Sequence, residues 1–382
     1  MVRPTSCEGM RLRFVDTMTV GAALLFGAVL SVLAGCTAAP QRDSSSRPRA
    51  DSAEGAETAV ADATGAALQG DAQAAVVALA QLPAAAFTGD ARAFRDCMLE
   101  RFGYQTAPAL PLGDDSWIAS LAQAYVTYWR SVLTRAVPEQ TAEVRLATAV
   151  GSLIGRPLAS AAALDDAEED IQAAVRRRGY YALLGRTPPL RELMLWRVQD
   201  VQQRAVDLPG GREIVTVNLL DDFLLRGWGY YATCGRRSAG GWATDTALFA
   251  VVPAYKNRDD EVFSVRFLGH EAQHFADKRA FRGLESWELE YRAKLVELAL
   301  GTYSQPSTLV LFCENRATSK SSPHGYANAR VVREISARIG IDEAALCGPG
   351  TLPEQAIRQQ SRALLEEDTT RRIRSSTAPG TR

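Results

Sequence analysis

Histidine is scarce in this chain, occurring only at 270, 274 and 324, yet two of the three fall in the segment His270-Glu271-Ala272-Gln273-His274. By composition alone an H-E-x-x-H arrangement is expected on the order of once in a thousand such chains, so the pattern carries weight. In an α-helix, residues four apart project from one face a turn above each other, so two imidazoles can share one Zn²⁺. Glu271 is rotated by about 100° from His270, which keeps it off the metal and beside a metal-bound water that it can deprotonate. The predicted chemistry is metal-assisted hydrolysis, with Glu271 as the general base.

Zinc needs a third protein ligand and an open fourth position for water. The segment from Leu284 to Leu300 predicts a helix in which Leu289, Ala293, Val296 and Leu300 form one apolar face and Tyr291, Leu295 and Leu298 another. Glu290 and Glu297 project between these faces, with Lys294 alongside. Carboxylates flanked by apolar surface are poorly placed for a purely solvated role, so Glu290 is the first candidate ligand and Glu297 the second. The alternative is an exposed Glu-Lys stripe stabilised by i,i+4 pairing. Asp277, seven residues after His270, reads either as a hydrogen-bond acceptor for a ligand imidazole or as a surface partner of Lys278 or Arg282.

Hydrolysis of a carbonyl also creates an oxyanion, for which a His or Tyr outside the metal shell is a common donor. His324 and Tyr326, in the Pro- and Gly-containing run Ser321 to Asn328, are the candidates, and the run itself reads as a loop.

A helix must carry these groups with one side on a core and the other on a cleft. Val265, Leu268, Ala272 and Phe275 form its predicted core stripe, His270 and His274 fall nearly opposite, and Phe263 and Phe267 lie beside the histidines. Upstream, Glu213-Ile-Val-Thr-Val-Asn-Leu-Leu220 and Ala247-Leu-Phe-Ala-Val-Val252 read as strands. From about Ala66 to Val206 the apolar residues recur at three- and four-residue spacing, which predicts helices broken near Pro108 to Pro111, Pro138 and Pro188-Pro189. The expected fold class is therefore α+β and predominantly helical, with a helical region at 66–206, a catalytic domain at 207–350 carrying a small sheet and the active-site helix, and a C-terminal helix with a polar tail at 351–382.

His270-Glu271-x-x-His274 with a downstream helical Glu290 resembles the gluzincin branch of the zincin metallopeptidases. The resemblance covers about 30 residues, and its specific part is the H-E-x-x-H core. It implies a zincin-like catalytic domain, His270, His274 and Glu290 as Zn²⁺ ligands, Glu271 as base, and a peptide or protein substrate. It also implies an edge strand above the metal that pairs with extended substrate, for which Gly240-Gly241-Trp242-Ala243-Thr244 is the candidate; an ordinary hairpin turn with a core Trp is the alternative. The chain departs from the family in two places. The step of sixteen residues from His274 to Glu290 is shorter than usual, and Lys294 stands where an Asp is common. The metzincin continuation is absent, because Asp277 and Ala280 occupy the positions of its Gly and third His.

The N-terminus reads as an address. Arg11 and Arg13 precede an apolar run from Val20 to Leu30 that ends in Leu33-Ala34-Gly35-Cys36, the form of a secretory signal peptide over 1–35. The ending resembles the lipobox of bacterial lipoproteins, which implies lipid attachment at Cys36, a membrane anchor, and a place in the cell envelope facing the periplasm, with the outer membrane favoured. Residues 36–65 contain almost no large apolar side chain and read as a flexible tether. Cys97, Cys234, Cys313 and Cys347 can pair in an oxidising compartment in three ways. A net charge of -1 gives no bias toward nucleic acid. A non-catalytic zincin-like lipoprotein that binds envelope proteins or peptidoglycan is the competing expectation; an intact Glu271 argues against it.

Overall fold

A computed structural model of the chain describes residues 48–104, 113–350 and 352–377. The expected signal peptide and lipidated Cys36 lie outside the described residues. No helix among the described residues is long and apolar enough to cross a membrane. The fold is α+β, mostly helical, with a small curled mixed sheet and a separate antiparallel pair of two-residue strands, Arg186–Thr187 and Leu190–Arg191. The described residues divide into two compact units, one formed by those up to Leu195 together with Leu224–Ser238, the other by Trp196–Phe223 and those from Ala239 onward.

The first unit is a helical assembly whose main elements are Pro48–Leu68, Ala72–Ala80, Gly89–Phe102, Ser116–Leu133 and Glu139–Ile154. Ser116–Leu133 begins where the Asp115 side chain accepts from the amides of Trp117 and Ile118, an N-cap that satisfies two otherwise free donors. Glu139–Ile154 ends on Gly155 at φ 70°, the left-handed C-cap that glycine adopts at no steric cost. The helix over Pro48–Leu68 replaces most of the expected tether: Ala56, Ala59, Val60 and Ala63 recur every three or four residues and are buried. Its face packs through small side chains, so a search for large apolar residues passes over it. Cys97 and Cys234 are joined in this unit.

The second unit carries the sheet. Four of the sheet's five strands lie wholly or mainly in this unit and follow one another in the order Met194–Leu208, Gly211–Arg226, Leu248–Val251 and Gly241–Ala243, the last at one edge. Leu248–Val251 runs parallel to Gly211–Arg226, with Val217 opposite Leu248, and antiparallel to Gly241–Ala243, with Trp242 opposite Phe249. Met194–Leu208 is a correction to the helical region expected up to Val206. Val198 and Val201 have helical spacing, but both are exposed on a strand. Helices His270–Ala280, Ser286–Leu300, Pro323–Ile339 and Glu354–Thr377 pack together in this unit, and Cys313 is joined to Cys347. Its core includes Val217, Leu248, Phe267, Leu295 and Val331.

Candidate metal centre

The histidine-bearing helix starts irregularly. Asp260 caps a short turn at Glu261–Phe263, accepting from the Phe263 amide at 3.0 Å, and the chain then runs π-helically over Ser264–Gly269 before becoming α-helical at His270–Ala280. A π segment inserts extra backbone into the turn and re-phases everything downstream, and such segments recur at functional sites. A wheel drawn through Val265 to Phe275 at constant pitch therefore misjudges enclosure. His270, Glu271, Ala272, Gln273, His274 and Asp277 are all buried, so the first turn of the helix is enclosed on every side, and only its last residues, from Lys278, are exposed. Gly241 makes this enclosure possible. A Cβ there would stand 2.3 Å from the Phe249 carbonyl oxygen and 2.5 Å from the Phe267 ring, so only glycine lets the edge strand close over Phe267.

The partner helix Ser286–Leu300 is held at its start by a reciprocal capping box between Glu285 and Glu288. Every residue from Glu290 to Ala299 is buried, so its charged side chains need partners inside the protein. Glu290 turns toward both histidines: His270 Nε2 and His274 Nε2 lie 3.1 Å apart, and each is 3.4 Å from a different Glu290 oxygen. A tetrahedral ion with bonds of about 2.1 Å sets its donors about 3.4 Å apart, so these three separations suit a shared metal. The three residues form a buried group able to hold a metal ion.

Glu297 meets the other side of His270, its Oε1 at 2.7 Å from Nδ1. Of the two carboxylates considered as third ligand, Glu290 thus joins the histidines at their Nε2 atoms, and Glu297 holds the opposite nitrogen of one ring. A carboxylate on the far nitrogen fixes the tautomer and orientation of a metal-binding imidazole. Burial by itself depresses the His270 imidazole, but Glu290 and Glu297 outweigh it and raise it to about 10. Burial likewise opposes ionisation of Glu290, while the fields of His324 and His270 hold its carboxyl well below the usual range. The pair of carboxylates defines a place for positive charge.

Glu271 is fully buried, and neither of its oxygens has a hydrogen-bond partner among the described residues. An unpartnered buried carboxylate costs stability, which a purely structural helix has no reason to retain.

His324 lies in the second position of the helix Pro323–Ile339, with Pro323 at the first, and not in a loop. Proline at that position loses nothing, because its amide would be unbonded anyway. Its Nδ1 is 2.7 Å from Glu290 Oε2, so the third histidine does reach the cluster. Tyr326 packs edge-on against Trp287, ring centroids 5.2 Å apart, and makes no hydrogen bond to the cluster among the described residues. Asp277 follows neither expectation. It accepts from Gln273 Nε2 at 2.8 Å and pairs with Arg292 Nη2 at 2.8 Å, while Arg292 Nη1 reaches Asp368 at 2.7 Å. This buried chain of charges ties the two ligand-bearing helices to Glu354–Thr377. No local pattern announces it, since Arg292 and Asp368 are 76 residues apart. Lys294 is buried 3.9 Å from Glu290 and lies over the Phe312 ring.

No family model, no curated protein and no solved structure matches this chain. The functional reading therefore stands on the site's own chemistry.

Proposed function

We propose that the chain is a zinc-dependent hydrolase, a peptidase of the bacterial cell envelope, and that the observation carrying this reading is the unpartnered Glu271 beside the His270, His274 and Glu290 group. Two imidazole nitrogens and one carboxylate oxygen form a donor set typical of catalytic zinc with an open position. When bound, zinc supplies a Lewis acid that acidifies a water and polarises the scissile carbonyl. Glu271 takes up the water's proton on a free carboxylate oxygen and returns it to the leaving amine. Glu297 keeps Nδ1 of His270 engaged, which leaves Nε2 for the metal. His324 steadies Glu290 through Nδ1, and its second nitrogen is the candidate donor to the oxyanion. Gly241–Ala243, an edge strand, offers main-chain groups to an extended peptide in a zincin-like arrangement. The leader with Cys36 supports an envelope location, to which two disulfides are suited.

The test pairs metal analysis with activity on an unfolded protein such as reduced casein. Wild-type protein should retain about one zinc per chain and hydrolyse casein, and Glu271→Gln should keep the zinc while losing about 10²- to 10⁴-fold in rate. Undiminished hydrolysis by Glu271→Gln would remove the mechanism.

A further inference from the structure

Beyond the end of the strand Leu248–Val251 the chain runs through a short turn to Tyr255, and there a cavity of about 380 Å³ opens. Gln202, Arg204, Tyr255, Lys256, Arg258 and Asp259 line it. Three of these side chains are cationic and one is anionic, and none of the three cations has an ion-pair partner among the described residues. Arg204 is oriented by donating Nε to Gln202 Oε1 at 2.9 Å. Small-ligand pockets begin at roughly 300 Å³, so the volume admits one side chain or a chain end with its carboxylate.

Tyr255 packs against the segment that leads into the metal-binding helix. Its ring meets Phe263 edge-on at 5.0 Å and Phe267 at 5.8 Å, both on the turns that lead directly into His270. Burial first, and then the negative charge of Glu271, push the Tyr255 phenol up. The edge strand that would align a peptide pairs with Leu248–Val251, whose continuation forms the cavity wall.

We infer that the cavity lined by Arg204, Lys256 and Arg258 is a subsite for a substrate carboxylate, which makes anionic peptides the preferred substrates; this rests on the peptidase reading above. The carboxylate comes either from an acidic side chain near the scissile bond or from a free C-terminus. Both present the same group to the cations, and the experiment separates them.

Zinc-loaded full-length Glu271→Gln protein is titrated calorimetrically with Ala-Ala-Glu-Leu-Ala-Ala and Ala-Ala-Gln-Leu-Ala-Ala, each with a free or amidated C-terminus. With two or three partly exposed ion pairs gained, the carboxylate-bearing partner should bind roughly 10-fold more tightly, and less so in high salt. Sensitivity to Glu against Gln assigns the side chain, and sensitivity to amidation assigns the C-terminus. Adding Arg204→Gln, Lys256→Gln and Arg258→Gln together should erase the difference at unchanged zinc content. Equal binding of all four peptides, no binding of any, or a preference that survives the triple substitution overturns the subsite. Charge-dependent binding combined with no cleavage of any of these peptides by the wild-type protein upholds the subsite and counts against the peptidase reading instead.

Discussion

Each unit of the molecule buries a cluster of charged side chains, and the two clusters are built on opposite terms. In the helical unit Arg191 is 3% exposed and spends its guanidinium fully: Nε on Glu143 at 3.1 Å, Nη2 on the Ala161 carbonyl at 3.1 Å, and Nη1 on Asp165. Arg186 adds a second cation to Glu143 and reaches Glu139 at 3.0 Å. In the other unit Glu290 and Glu297 meet the imidazoles of His270 and His274, and the buried carboxylate of Glu271, next in sequence to His270, has no hydrogen-bond partner among the described residues. A closed set of ion pairs holds helices in register and asks for nothing further. A set that leaves the buried carboxylate of Glu271 without a hydrogen-bond partner, even with Lys294 3.9 Å and His324 Nδ1 2.7 Å from Glu290, is not closed in this way. The contrast separates a cluster that only holds helices together from one able to hold a metal ion.

The largest effect should come from opening the closed cluster. Arg191→Met leaves Glu143 buried with only Arg186 to pair with, and removing one member of a buried pair costs about 3 kcal/mol. Urea unfolding should show that loss while the zinc affinity of the folded protein stays the same. A tenfold fall in zinc affinity would instead mean that the two clusters are not independent, and the distinction would lose its use.

The reverse substitution belongs in the metal unit. Glu297→Ala frees the Nδ1 side of His270 and should weaken zinc binding about 10- to 100-fold, measured by competition with a chelator. Glu297→Gln keeps an acceptor in place and should recover part of the affinity. If alanine and glutamine behave alike and bind zinc as tightly as the native chain, Glu297 has no orienting role and the cluster does not extend beyond His270, His274 and Glu290.

The parts of this architecture that could be read in advance were those with a local period. The four-residue spacing of His270 and His274 and the position of Glu290 and Glu297 between two apolar faces are helix geometry, visible in one segment at a time. The strands at Glu213 to Leu220 and Ala247 to Val252 announce themselves through β-branched and aromatic residues, and both overlap observed strands. What escaped has no local period. Met194–Leu208 exposes much of both faces, so it lacks the alternation that marks a half-buried strand. The π segment before His270 changes the pitch without any signature residue. Asp277, Arg292 and Asp368 come from three helices, and their pairing is decided by tertiary packing alone.

The smallest effect is the most diagnostic, because its sign differs from that of ordinary core substitutions. In the metal-free protein Glu271 is a carboxylate at 0% exposure whose oxygens both lack a hydrogen-bond partner among the described residues, which costs the fold stability. Glu271→Gln removes the charge at nearly constant volume, so metal-free Glu271→Gln should unfold at a higher temperature than metal-free native chain, by about 1 kcal/mol in stability. Most buried substitutions destabilise, and Arg191→Met is expected to do so strongly. A gain in stability coupled to loss of hydrolysis would mark Glu271 as a residue kept for chemistry against the interest of the fold. A loss of stability would show that Glu271 is held by the metal-free protein as firmly as Arg191 is, and the contrast between the clusters would then rest on His270, His274 and Glu290 alone.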